Sequence, residues 1–396
     1  MRKGSLAMPV MARLDEKQRV IPLLILSVFL YWVSLYLYAP TLPTYVASKT
    51  DNLAMVGVVL SMYGLWQAVT RVPLGILSDW VGRRKPFILA GFLLTGLGAW
   101  MMGAAPNVTW ILLGRAVTGL AASTWVPLVV LFSGLFTPRE AVRASALLTM
   151  VASFARMIAT GLTGTLNQTG GYALAFYLAA GAGIAAFLIL VPIHEDRRTP
   201  LAPSVKGFLV LLGRRDVMVP SLLSLIGQYA NWGATFGFIP ILAKQLGATD
   251  VLQSALVSLN IAVVTVGNLL AGTITKKVPA QRLVLISFVL IGLGLVGATW
   301  ASSLGWIFAV QVCLGLAQGI GYPVLMGLSI REVDDVERAT AMGLHQAIYA
   351  VGMFAGPALS GTIASALGLR PMFALTAAAC LALGLVGTRF LKAEGA

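Results

Sequence analysis

The sequence predicts an all-α membrane protein with twelve transmembrane helices in two pseudo-symmetric six-helix bundles. Three observations carry this. First, the 396 residues are 58% hydrophobic and only 11% charged, against roughly 25% charged for a soluble domain. Lipid must therefore be the solvent for most of the surface. Second, apolar runs of about 20 residues recur throughout, the length a helix needs to cross a hydrocarbon core about 30 Å thick. Helices are expected because the backbone must satisfy its own hydrogen bonds in lipid, and the alternating polarity of a membrane β-barrel is not seen. Third, the halves align with a shift of about 195 residues. Gly119-Leu120-Ala121 with Pro127 matches Gly315-Leu316-Ala317 with Pro323, Arg143-Ala144-Ser145-Ala146 matches Arg338-Ala339-Thr340-Ala341, and Phe92–Gly98 matches Phe288–Gly294. Two similar apolar halves are the signature of a secondary transporter, with its site between the halves near the bilayer midplane.

Twelve spans are expected at 20–47, 53–78, 86–105, 108–135, 142–166, 171–193, 217–244, 251–275, 282–302, 304–329, 338–366 and 370–391. Span 1 follows basic Arg13, Lys17 and Arg19, but its apolar run is too long for a signal peptide and no small-residue cleavage site follows. It reads as an uncleaved helix. The loops are short, so consecutive spans are antiparallel neighbours. The longest polar interruption falls at the middle of the chain. This gives an N-terminal bundle over 1–193, a cytoplasmic linker over 194–216 and a C-terminal bundle over 217–396. Within the linker, Val205 to Leu212 is apolar enough for a short surface helix. Glycines spaced small-xxx-small, as in Gly315/Gly319 and Gly352/Gly356, permit close helix packing or sliding.

Net charge is +14. With the N-terminus inside, 22 of the 28 Lys/Arg fall in cytoplasmic segments, 3 in external loops (Lys49, Lys244, Arg370) and 3 within spans (Arg71, Arg115, Arg156). The positive-inside rule then places both termini in the cytoplasm. The basic excess is topology plus attraction to anionic lipid, not a nucleic-acid surface, because no soluble domain exists to present one. Short tails and loops suggest a bacterial inner membrane and a monomeric working unit. Cys313 and Cys380 fall inside spans as small packing residues, with neither disulfide nor metal site indicated.

The strongest local motif is Gly75-Ile-Leu-Ser-Asp79-Trp-Val-Gly82-Arg83-Arg84-Lys85-Pro86, between spans 2 and 3. Gly75 would let another helix approach, Asp79 could meet a helix N-terminus, and Arg83 and Arg84 could pair with acids or lipid phosphates. The motif resembles the signature loop of the major facilitator superfamily, with Trp80 where many members carry a basic residue. With the twelve spans, the linker and the repeat, the resemblance covers nearly the whole chain and implies the major facilitator fold. It implies that this loop locks the outward-facing state and releases when the cytoplasmic side opens. Arg71, near the inner end of span 2 and eight residues before Asp79, reads as a gate or interfacial residue. The second half's equivalent, Gly272-Thr-Ile-Thr-Lys276-Lys277, lacks the aspartate.

Arg115 lies in span 4 as Leu113-Gly-Arg115-Ala-Val-Thr-Gly119, with Gln311 as its repeat partner. A buried intramembrane arginine costs about 3 kcal/mol or more and usually faces the interior. The segment is similar to an arginine motif of proton-coupled members of the superfamily, which implies a part in coupling or substrate binding. Arg156 stands in span 5, where efflux members usually carry a glycine-proline motif. That element occurs here in span 11, as Gly352-Met-Phe-Ala-Gly356-Pro357. None of the 14 acids falls in the expected membrane interior, so two arginines make the cavity electropositive. His345 is the one histidine in a span and a second proton-coupling candidate. Expected substrate contacts are Tyr36, Arg115, Arg156, Gln228, Tyr229, Trp232, Gln311 and Gln346. They come from an aromatic set in spans 1, 2 and 7 that includes Trp32, Tyr63 and Phe236, and from amides dotting the second half.

An enzyme would need a polar constellation, and a nucleotide-driven pump a G-x-x-x-x-G-K-[ST] loop; the sequence has neither. No cofactor is expected. The partners are a small-molecule substrate, protons and the lipid bilayer. Span 1 (Tyr36-Leu-Tyr-Ala-Pro40-Thr-Leu-Pro43), the signature loop and the compact size resemble the twelve-span drug/proton antiporter branch of the superfamily. Proton-coupled efflux of amphiphilic molecules is therefore the expected function. The alternative is a carrier of small organic anions bound by Arg115 and Arg156.

Overall fold

The computed structural model describes residues 10–137, 140–195, 205–334 and 337–391. Among these, helices dominate and no strand occurs. Nine described helices are long and apolar enough to cross a membrane. One of them, Ala141–Leu190, holds two spans. It breaks at Gly170 and Gly171, where Gly171 takes φ of 69°, left-handed backbone that glycine adopts without a Cβ penalty. Spans 1 and 7 complete the twelve but are not the continuous helices expected. Span 1 runs Val10–Tyr36, turns, and restarts as Leu42–Ala47. Span 7 runs Arg215–Ala230, passes through the π-helical stretch Asn231–Phe238, and resumes as Ile239–Gln245. The repeat-related Pro43 and Pro240 each sit in the first turn of the restarted helix, where a missing N–H costs nothing. Of the expected linker, Val205–Gly213 is helical, and 196–204 lie outside the described residues, as do 1–9 and 392–396.

Loop contacts define two faces. At one, here the linker face, the Glu195 carboxylate accepts from the backbone N–H groups of Arg84 and Lys85 at 2.8–3.0 Å, and Gln281 donates to the Thr388 carbonyl. At the other, the far face, Arg370 donates to the carbonyls of Thr299 and Ala301.

The bundles meet along two antiparallel helix pairs, spans 2 and 11 and spans 5 and 8. Glycine makes both possible. A Cβ on Gly57 would stand 2.3 Å from the Pro357 carbonyl oxygen, one on Gly64 2.4 Å from backbone atoms of Met353 and Phe354, and one on Gly164 2.4 Å from backbone atoms of Asp250 and Val251. The pairs expected from small-xxx-small spacing serve a different interface. Gly315 and Gly319 press on span 8, and Gly352 and Gly356 on span 7, all within the second bundle.

A polar cluster joins the bundles at the far face. Asn167 of span 5 donates to Thr41 Oγ1 (2.9 Å) and to Asp250 Oδ2 (3.1 Å) of span 8. Asp250 also accepts from Lys244 (3.2 Å), and Thr44 of span 1 donates to Gln253 Oε1 (3.0 Å). Asn167 is thus buried and bonded.

Candidate functional site

Between the bundles, at the level of the helix breaks, lies a small cavity. Its walls include Tyr36 of span 1, Tyr63 of span 2, Arg115 of span 4, Trp232 and Phe236 of span 7 and Pro357 of span 11. Tyr36 stands where span 1 unwinds, and Trp232 and Phe236, four residues apart on one face of span 7, stand in its π-helical stretch. The rings form a continuous path across the bundle interface. Tyr63 and Trp232 have centroids 5.0 Å apart, Trp232 and Phe236 5.1 Å, and Phe236 and Tyr36 meet edge-on at 6.2 Å.

The two arginines sit on this path rather than beside acids. Arg115 is buried, and its guanidinium carbon lies 4.1 Å from the Tyr63 ring centroid. Its Nε meets no acceptor. Arg156 donates to the Ala152 carbonyl (3.2 Å) and Ser153 Oγ (3.1 Å), and lies 5.0 Å from the Trp32 ring and 5.6 Å from the Tyr36 ring. Among the described residues neither arginine makes an ion pair. Cation–π attraction, up to about 2 kcal/mol when desolvated, offsets part of the burial cost and leaves the charge available to a ligand.

The other expected contacts divide. Gln228 lines a separate recess inside the second bundle, with Ser224, Ser287, Gln318 and Tyr322. Tyr229 is half-buried and absent from the central cavity wall; its carbonyl packs on Gly356. Gln311 is buried between spans 10 and 8, where its carbonyl accepts from Asn260 and neither amide atom has a partner. Gln346 is buried with its Oε1 unpartnered. His345 is fully buried, its two ring nitrogens 3.0 Å from Ser221 Oγ and 3.3 Å from Ser224 Oγ. Tyr63 and Phe236, expected only as members of an aromatic set, do line the cavity. Their spacing gave no sign that they, more than Tyr229, would face the cavity.

The signature loop also rearranges expectation. Asp79 does not cap a helix. It pairs with Arg84, and Glu195, 111 residues away, caps helix Lys85–Gly103 instead. Gly82 ends the preceding helix at φ of 71°, so glycine is required there for a left-handed cap. Gly75 does not mark a close approach: among the described residues no atom beyond its own helix turn lies within 4 Å of where its Cβ would stand. Arg83 is exposed. Arg71 is buried and joins the bundles, donating to Gln67 Oε1 and to the Tyr349 hydroxyl of span 11.

Comparison with known proteins agrees with this architecture. The sequence profile described as Major Facilitator Superfamily matches residues 24–228 and 221–396. The chain is 25% identical over 353 residues to the class C tetracycline resistance protein of Escherichia coli, covering 84% of this chain and 87% of that protein. It is 22% identical over 277 residues to multidrug resistance protein 1 of Bacillus subtilis, 68% of each. Among solved structures, a bacterial homolog of the human lysosomal transporter Spinster, inward-facing and unoccupied, superposes with a TM-score of 0.79 at 16% identity, covering 95% of this chain and 98% of the other.

Proposed function

Since the chain belongs to the major facilitator superfamily and is a multi-pass membrane transporter of small molecules, we propose that it exports amphiphilic compounds in exchange for protons. The central cavity carries this reading. Aromatic faces from both bundles converge on one space, and no carboxylate stands in its wall. Such a lining takes flat, lipophilic molecules through area and ring contacts. Residues of both bundles must part to release the cargo, which suits alternating access. The tetracycline and multidrug resistance proteins similar to this chain support export over uptake.

In this reading Tyr36, Trp232 and Arg115 hold the substrate, with Arg156 behind Tyr36. Gln228, Tyr229, Gln311 and Gln346 stand outside the cavity wall and act on the substrate only through repacking within the second bundle. His345 and Arg115 are the coupling groups. His345 can exchange a proton while Ser221 and Ser224 stay as its partners. The loop of Gly75, Asp79, Gly82, Arg83 and Arg84, with Arg71, forms the gate at the linker face. That face is cytoplasmic by the Lys/Arg asymmetry, with both termini on the same side. The bundles of 1–193 and 217–396 move as units about the 194–216 linker, and one chain suffices.

One observation favours a second reading. Arg115 and Arg156 are both without an acid partner among the described residues, as suits a carrier of small organic anions. Purified protein in proteoliposomes separates the two. Proton movement on adding lipophilic amines or neutral amphiphiles, lost in His345→Gln or Arg115→Ala, supports coupled export. A response confined to organic anions, lost on neutralising Arg115 or Arg156, supports the second reading and rejects the first.

A further inference from the structure

A second recess lies away from the central cavity, at the linker face of the second bundle. Spans 7, 10 and 12 end around it, and its walls include Arg215, Asp216, Arg331, Glu332, Arg389 and Phe390. Its acids are engaged. Asp216 accepts from Arg214 at 2.6 and 3.2 Å, which raises the Arg214 pKa. Glu332 Oε1 lies 3.4 Å from Arg331, and its carbonyl accepts from Arg214 at 2.7 Å. Arg215 and Arg389 are exposed, and among the described residues neither pairs with an acid. Arg215 instead lies 5.2 Å from the Phe390 ring, which orients the guanidinium while keeping its charge. Helix Arg215–Ala230 begins here with Asp216 in its first turn, so the acid sits at the positive helix end and leaves the two arginines as the uncompensated charge.

The rest of the wall is apolar, with Val219, Pro220, Leu328, Phe390 and Leu391. Leu222 and Val386, each about half exposed, share helix faces with Arg215 and Arg389 by their spacing of seven and three residues. A free guanidinium at the start of span 7 and another at the end of span 12, beside apolar side chains, match one chemistry. The geometry points to a binding site for the phosphate of an anionic phospholipid, its chains lying along spans 7 and 12. A free phosphate ion would use the charges but leave the apolar wall without an occupant. The site is separate from the central cavity and does not rest on the transport reading.

The test is thermal unfolding of the purified full chain in detergent mixed with dioleoylphosphatidylglycerol, with dioleoylphosphatidylcholine, or with inorganic phosphate. The expected result is a Tm several degrees higher with phosphatidylglycerol than with phosphatidylcholine, and no rise with phosphate. That excess should vanish in Arg215→Gln/Arg389→Gln and persist in Lys276→Gln/Lys277→Gln, an exposed basic pair elsewhere. Equal response to the two lipids, an excess surviving in the arginine variant, equal loss in the lysine variant, or a matching rise with phosphate would each overturn the site. Should the double variant not fold, native mass spectrometry of Arg389→Gln decides. Loss of a retained phosphatidylglycerol supports the site, and unchanged occupancy overturns it.

Discussion

The Arg71 guanidinium donates to the Tyr349 hydroxyl and lies 5.2 Å from the centroid of the same ring, joining span 2 of one bundle to span 11 of the other. Gln67, one turn back, receives the other arm of the guanidinium and donates to the Tyr63 carbonyl. Close contacts between spans 2 and 11 run from Gly57 at Pro357, through Gly64 at Met353, to this pair. One turn beyond, Gly75 meets nothing among the described residues outside its own helix turn. Arg71 and Tyr349 therefore mark the linker-side end of the close contact between spans 2 and 11, on the linker side of Tyr63 in the cavity wall.

Tyr349→Phe keeps the ring and removes the acceptor from a buried guanidinium. It should cost about 1 kcal/mol, between the values for charged hydrogen bonds and those measured in membranes. A lower Tm in the same detergent checks this; an unchanged Tm would mean that Gln67 alone holds Arg71.

Gly57→Val places side-chain carbons where the Pro357 carbonyl and Gly361 Cα now stand. Backbone cannot yield locally, so spans 2 and 11 must part at the far face. Spin labels at Asp51 and Ala366, at far-face helix ends, should report a longer distance than in the otherwise unaltered chain.

Glu195→Ala removes the acceptor for the N–H groups of Arg84 and Lys85 and a negative charge at a helix start. The loss should be about 1 kcal/mol. Glu195→Gln, which keeps an acceptor, should lose less. Gly82→Ala, forced to φ of 71°, should also cost about 1 kcal/mol. Paired thermal melts rank the three.

Arg115→Leu removes the charge above Tyr63. Binding of an anionic or zwitterionic substrate should weaken about tenfold, equal to roughly 1.4 kcal/mol, while a neutral amphiphile changes little. Tryptophan fluorescence, through Trp232 in the cavity wall, provides the titration. Equal weakening for both ligands would assign Arg115 to packing.

Class, span count and repeat were legible because each depends on properties that accumulate along the chain. Twenty apolar residues make a span wherever they pack, and a repeat of 195 residues is visible without contacts. The signature loop was legible as a motif, but its bonding was not. Asp79 finds Arg84 five residues on, whereas the helix cap comes from Glu195 in a distant segment. Glycine spacing correctly signalled close packing, yet could not tell Gly352 and Gly356, which pack within a bundle, from Gly57 and Gly64, which pack between bundles.

By itself the sequence determined that this chain spans the membrane many times in two related halves, with arginine and aromatic residues but no acid in the expected interior. Hydrophobic length and charge are local quantities, and lipid reads them span by span. Tertiary structure alone decided which aromatics meet, that Arg115 faces Tyr63, and that Arg71 reaches Tyr349 across 278 residues of chain. Those depend on where spans 1 and 7 unwind and how closely the bundles approach. Both follow from packing among distant helices, which local sequence does not encode.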